Sequence, residues 1–138
     1  MPTIINMDKF DAAKFVPNGG WDLIRISDPA QYLIEIDRKI AKRYNSIHHF
    51  EFLDADDGQF PDECLFQDEQ ARQIIDILFN ALENDRNVLV HCNMGLCRSG
   101  AVVEVGVAMG FDDPRRTRMP NLRVMRKLVA EAIDRYLL

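Results

Sequence analysis

The chain has 138 residues, 47% hydrophobic and 28% charged, with a formal net charge of −5. That make-up suits one soluble globular domain over residues 1–138 with enough apolar mass for a core. No apolar run approaches the roughly 18 residues of a membrane span, and the acidic balance argues against non-specific nucleic-acid binding.

Thr3 to Asp8 reads as a short strand and Asp11 to Phe15 as one helical turn. Pro17-Asn18-Gly19-Gly20 marks a turn, and Trp21 to Ile26 a second strand. Ser27-Asp28-Pro29 has the form of a helix start with proline at the first position. Leu33, Ile36, Ile40 and Tyr44 would give that helix one apolar face as far as Arg43. Phe50 and Phe52 alternate with His49 and Glu51, which makes Ile47 to Leu53 a strand. Asp54 to Asp68 is a long acidic loop containing Gly58 and Pro61. Loops of that length are uncommon in compact domains and are more often functional. Gln70 to Asn84 follows as an amphipathic helix with Ala71, Ile74, Ile75, Leu78 and Leu82 on one face.

Val88, Leu89 and Val90 form a continuous apolar run, as in a strand buried on both faces. A glycine-containing loop comes next, then a small-residue helix from Ala101 to Met109 that Gly110 can close, with Ser99 at its N-cap or first turn. Phe111-Asp112-Asp113-Pro114 is a turn, and Arg115 to Lys127 carries six basic residues and no acid. Asn121 to Leu138 is the final helix, with Leu122, Met125, Val129, Ala132, Ile133 and Tyr136 expected to pack in the core. Strands alternating with helices predict an α/β fold, a central mostly parallel sheet flanked by helices. Three cysteines, and no basic-then-apolar stretch at the N-terminus, set the expectation of a reducing, cytoplasmic setting.

The chemistry concentrates between His91 and Ser99. A loop that feeds a helix N-terminus turns several unpaired backbone N–H groups towards one point, backed by the helix dipole. A phosphate-sized dianion fits such a nest. Arg98, six residues after Cys92, can close its planar guanidinium over the same anion. Cys92 at the bottom of a positive cup favours thiolate over thiol, which makes it a nucleophile facing a cradled phosphoryl group.

His-Cys-x5-Arg-Ser, here His91, Cys92, Arg98 and Ser99, resembles the signature of the cysteine-dependent protein tyrosine phosphatases, in particular the small dual-specificity branch. Leu23-Ile24-Arg25-Ile26-Ser27-Asp28-Pro29 is similar to the opening of small bacterial and phage members, and Met119-Pro120-Asn121 to a Pro-Asn found before their last helix. The low-molecular-weight branch carries its loop at the N-terminus, so that topology is excluded. The resemblance implies a phosphatase-like fold with the phosphate-binding loop between strand and helix. It implies a phosphocysteine on Cys92, phosphoryl binding by Arg98 and by the loop Asn93, Met94, Gly95, Leu96 and Cys97, and help from the Ser99 hydroxyl in the second step. His91 would help to hold the thiolate.

The same resemblance implies an aspartate on the upstream loop as general acid and later base. Asp54, Asp56, Asp57 and Asp62 are the candidates. Phe52-Leu53-Asp54 resembles the family's aromatic-x-Asp motif, and Asp57-Gly58-x-x-Pro61 resembles the Asp-Gly-x-x-Pro of other members. Cys97 lies where the low-molecular-weight branch has a cysteine that can pair with the nucleophile; filling space under the loop is the alternative. Cys64 has no assigned role. His48 and His49 lack partners at metal-ligand spacing and read as strand histidines, so no metal or cofactor is expected. The run from Arg115 to Lys127 reads mainly as solvated surface, with Arg118 a candidate contact to a phosphosubstrate. Phosphorylated protein or peptide is the expected partner, with no membrane or nucleic acid and the oligomeric state open. Alternatives are an RNA 5′ or phosphoinositide phosphatase of the same mechanism, a catalytically weak phospho-binding module, or an arsenate reductase or sulfur transferase built on the same loop.

Overall fold

A computed structural model describes every residue from Met1 to Leu138. Four strands, β1 (Ile4–Asp8), β2 (Trp21–Ser27), β3 (Ser46–Glu51) and β4 (Asn87–Cys92), pair in the order β1-β4-β2-β3. Every pair is parallel, with Ile5 opposite Leu89, Arg25 opposite His91 and Ile26 opposite Phe50. The expected α/β architecture with a parallel central sheet is therefore observed.

Both faces of the sheet are covered, which is why its central strands read as unbroken apolar runs. Ile4, Ile24, Ile26, Val88, Val90 and Cys92 point to one side. There they meet α3 (Asp68–Glu83), α4 (Arg98–Met109) and α5 (Leu122–Asp134) in a core of 22 buried residues. Leu23 and Leu89, one residue out of phase, point to the other side. They pack with Ala12 of α1 (Lys9–Lys14), Ile40 of the single-turn α2 (Arg38–Ala41) and Tyr44.

Three expectations need correction. The helix from Pro29 to Arg43 is reduced to Arg38–Ala41, and residues 28–37 run irregularly. Ala30 takes a left-handed backbone at φ 60°, which breaks a helix at its first turn. The Asp28 N–H is satisfied by the Gln31 side chain at 2.9 Å, and the carbonyl of Ile34 accepts from Arg25. In α5 only one stripe is buried, Val124, Leu128 and Ala132, while Leu122, Ile133 and Tyr136 are exposed. The helix has apolar residues on more than one face, and only the face towards α3 and α4 has something to pack on. In α3 the fifth buried position is Ala81 rather than Leu82, which lies at the edge of the core. No helix is long and apolar enough to cross a membrane.

Leu128→Ala is expected to lower stability by about 2–5 kcal/mol, because the cavity it leaves lies inside the core. Leu122→Ala should stay within about 0.5 kcal/mol of wild type. Urea unfolding midpoints at constant slope would check both.

Candidate active site

All four strands run the same way, so their carboxyl ends collect at one edge of the sheet. Asp8, Asp28, Asp54 and Cys92 follow or end β1, β2, β3 and β4 there. That edge is where open parallel sheets bind ligands. β4 lies between β1 and β2, so the loop that leaves it is walled on both sides.

The loop's shape begins with Gly95, which has φ 72°. A Cβ there would sit 2.4 Å from the backbone nitrogen of Asp8 and 2.4 Å from the carbonyl carbon of Met7. Only glycine lets the loop lie this close to the end of β1. The outward carbonyls are then tied down one by one. Asn93 O accepts from Lys9 N at 3.5 Å, Gly95 O from Asn6 Nδ2 at 2.8 Å, and Leu96 O from Met119 N at 3.0 Å. Cys97 O accepts from Ala101 N at 3.0 Å and from Asn121 N at 2.9 Å. The backbone N–H groups from Asn93 to Gly100, by contrast, donate to no group of the protein. Cys97 caps α4 without a side-chain hydrogen bond. A loop with satisfied carbonyls and free amides is an anion receptor.

Arg98 supplies the charge. Its side chain is buried, and Nη1 donates to Asp28 Oδ1 at 2.8 Å and to the Phe52 carbonyl at 2.7 Å. Those two contacts fix the guanidinium, and its buried Nε has no partner. Asp28 Oδ2 is 3.5 Å from Asn93 Nδ2, and Gln31 Nε2 donates to Asn93 Oδ1 at 3.0 Å, so the irregular segment braces the loop as well. Ser99 is not the N-cap; it lies wholly buried in the first turn of α4, with Oγ 3.2 Å from Cys92 Sγ.

His91 faces away from Cys92, on the α1 side of the sheet. The strand register sets it beside Arg25, whose Nε donates to His91 Nε2 at 3.0 Å. A ring nitrogen that accepts leaves the proton on Nδ1, so the imidazole is neutral. Burial is the main cause of a pKa lowered to about 4, the Arg25 charge adds to it, and the Cys92 backbone opposes weakly. His91 therefore brings no positive charge to the loop.

The acidic loop is clasped by α5. Arg123 Nη1 donates to Asp57 Oδ1 at 2.7 Å and to Asp62 Oδ1 at 3.0 Å, and Arg126 Nη2 to Asp57 Oδ2 at 2.8 Å and Asp56 Oδ1 at 3.2 Å. Both oxygens of Asp57 are thus occupied by arginines. Asp54 has no ion pair; its Oδ1 accepts from Asn121 Nδ2 at 2.8 Å, and the carboxylate lies beside the Cys97 thiol. Burial first, then the Asp54 charge, push the Cys97 thiol up. Of the four acids, only Asp54 lies beside the β4–α4 loop without an arginine partner. The basic run is accordingly divided: Arg115 and Arg116 are exposed and without ion pairs, whereas the other four basic residues are paired. Lys127 pairs with Asp68, and Arg118 is taken up by Glu104 at 2.6 Å and Asp113 at 3.0 Å, which removes it as a free phosphate contact. His48 and His49 hydrogen-bond Ser46 and Ser27. Cys64 is partly buried outside the loop.

Neither a scan against protein-family models nor a comparison with curated protein sequences gave a match. Solved structures did. A human tyrosine phosphatase-like serine/threonine/tyrosine-interacting protein superposes with a TM-score of 0.57 at 18% identity, covering 87% of this chain and 80% of its own. Tk-PTP in its active form gives 0.51 at 15% identity, covering 96% of this chain and 90% of its own. The fold is tyrosine phosphatase-like.

Within that phosphatase-like fold, three residues escaped the sequence reading. Asn6 is a buried amide in an otherwise apolar strand, and that polar interruption was its signal. Arg25 shares a strand face with His91 only once the parallel register is known. Asp28 stood in the sequence as a helix-start residue, and its contact to Arg98 spans 70 positions. Of the surface clefts, one of about 370 Å³ is lined by Met94, Gly95 and Leu96 of this loop together with Asn6, Asp8 and Arg116.

Gly95→Ala should abolish inorganic phosphate binding measured by calorimetry, since the added methyl pushes the loop off β1. For His91, the folded pKa near 4 lies below the ordinary 6.5. The unfolded chain therefore takes up this proton first, and stability falls as pH drops from 6.5 towards 4. The loss amounts to about 3 kcal/mol when complete. In His91→Gln that part of the slope should vanish from urea unfolding at pH 7, 5.5 and 4.

Proposed function

We propose that this protein is a phosphomonoester hydrolase that works through a phosphocysteine on Cys92, with phosphorylated protein or peptide as substrate and phosphotyrosine its first class. The observation that carries the reading is the run of amides from Asn93 to Gly100 that donate to no protein group, with the unpartnered Arg98 Nε, directly after the Cys92 end of β4. The phosphatase-like fold supports it.

In the first step Cys92 Sγ attacks phosphorus, and the bond to the leaving oxygen breaks. Free amides and Arg98 take the charge on the phosphoryl oxygens. Protonated Asp54 gives its proton to the departing alkoxide or phenoxide. In the second step water attacks the phosphocysteine, Asp54 accepts its proton, and the Ser99 hydroxyl donates to the leaving thiolate. The sum is ester plus water to alcohol plus phosphate. Asp54 is preferred to Asp57 because Arg123 and Arg126 already occupy both oxygens of the latter. Protein substrates are preferred to RNA ends or phosphoinositides because the chain carries a net charge of −5 and most of its basic run is already paired.

A second reading, capture of a phosphorylated partner without turnover, draws on the Arg98 contacts to Asp28 and Phe52. One of the similar structures is also described as a phosphatase-like interacting protein.

Hydrolysis of para-nitrophenyl phosphate in EDTA should be measured for wild type and variants. Wild type should turn over, Cys92→Ser should lose all activity, and Asp54→Ala should fall by roughly 100-fold or more. Asp57→Ala should stay near wild type. Phosphate binding by an inert wild type would transfer the assignment to the binding module.

A further inference from the structure

Asn121 stands at the meeting point of the catalytic loop, the acidic loop and α5. Its backbone N–H donates to the carbonyl of Cys97 at 2.9 Å, inside the catalytic loop. Its side-chain Oδ1 accepts from Val124 N at 3.0 Å and caps α5. Its Nδ2 donates to Asp54 Oδ1 at 2.8 Å and to the Ala55 carbonyl at 3.2 Å. The amide cannot be turned over. A flip would face Nδ2 against the Val124 N–H and Oδ1 against the Ala55 carbonyl, losing three bonds. One side chain thus has a fixed donor and that donor is aimed at one carboxylate.

The neighbouring acids show why this matters. Asp56, Asp57, Asp62 and Asp68 are each drawn to a basic residue of α5, whereas Asp54 pairs with none. Oδ2 of Asp54 has no backbone or amide donor, which leaves it as the oxygen available to carry a proton. Met119, two residues before Asn121, donates to the Leu96 carbonyl, so the segment that carries the amide is anchored on the catalytic loop at two points. Pro120 keeps Met119 extended and fixes the approach.

We propose that Asn121 is the positioning residue for the general acid. It holds Asp54 Oδ1 and so presents Oδ2 to the leaving oxygen, and it registers the acidic loop on the catalytic loop. The proposal rests on the phosphocysteine reading with Asp54 as acid. The amide itself exchanges no proton.

The test compares phenyl phosphate, whose leaving oxygen needs a proton, with 2,4-dinitrophenyl phosphate, whose leaving oxygen does not. Asn121→Ser keeps a good N-cap for α5 but cannot reach Asp54, so its thermal midpoint should match wild type. Its rate on phenyl phosphate should drop about tenfold, and far more than on the dinitrophenyl ester. Asn121→Asp also keeps the cap but sets a second carboxylate against Asp54, and its pH–rate profile should shift. Adding Asn121→Ser to Asp54→Asn should cost nothing further on phenyl phosphate, because the positioned group is already gone. Equal losses on both esters in Asn121→Ser, or additive losses in the double variant, overturn the positioning role and leave the mechanism standing. Wild-type rates in Asp54→Asn overturn the assignment of the acid, and with it this proposal.

Discussion

Peptide groups in a loop usually divide their N–H groups and carbonyls between both sides; here they are sorted. From Asn93 to Gly100 the amides are free, and the carbonyls that face outward are engaged by Lys9, Asn6, Met119 and Asn121. Those partners come from β1, α1 and the entry to α5, which are remote in sequence. A buried carbonyl left without a donor costs about 1–3 kcal/mol, so each contact helps to keep the loop from turning an amide outward. The receptor therefore exists only when β1 pairs with β4 and the segment before α5 is seated. Fold and site are one arrangement.

The other side of the sheet supports it through a chain of contacts. Arg25 holds His91 by its Nε and the Ile34 carbonyl by its Nη2. Residues 28–37 thereby give up helical hydrogen bonds in exchange for contacts to Arg25, Asn93 and Arg98. Asp28 neutralises one end of the Arg98 guanidinium and orients the rest. A fixed guanidinium loses less entropy on meeting an anion than a free one does.

How much of this was legible in the sequence follows the range of the interactions. Local patterns gave the strands, α3 and the loop, because burial on both faces writes itself as Val88-Leu89-Val90 and a tight turn as Gly95. The neighbourhood of Cys92, Arg98 and Ser99 on one strand–loop–helix turn was readable for the same reason. Asp54 was separable from Asp57 only through Arg123 and Arg126, whose side chains come from a helix more than 60 positions away. The segment after Pro29 misled because its apolar spacing suits a helix, while its polar groups are claimed by Arg25, Asn93 and Arg98. The outer stripe of α5 misled in the opposite way, since Leu122 and Ile133 keep helical spacing on a face that nothing covers.

The grip of Arg123 on the acidic loop bears on how far that loop can move. That guanidinium is only 5% exposed and holds Phe66 O, Asp57 and Asp62 together. Swinging the loop outward would leave a buried cation with a single carbonyl, a loss of a few kcal/mol. Such a loop serves as a fixed wall rather than a flap. An acidic loop pinned in this way keeps one outline beside the β4–α4 turn, set by the packing of α5 before anything binds.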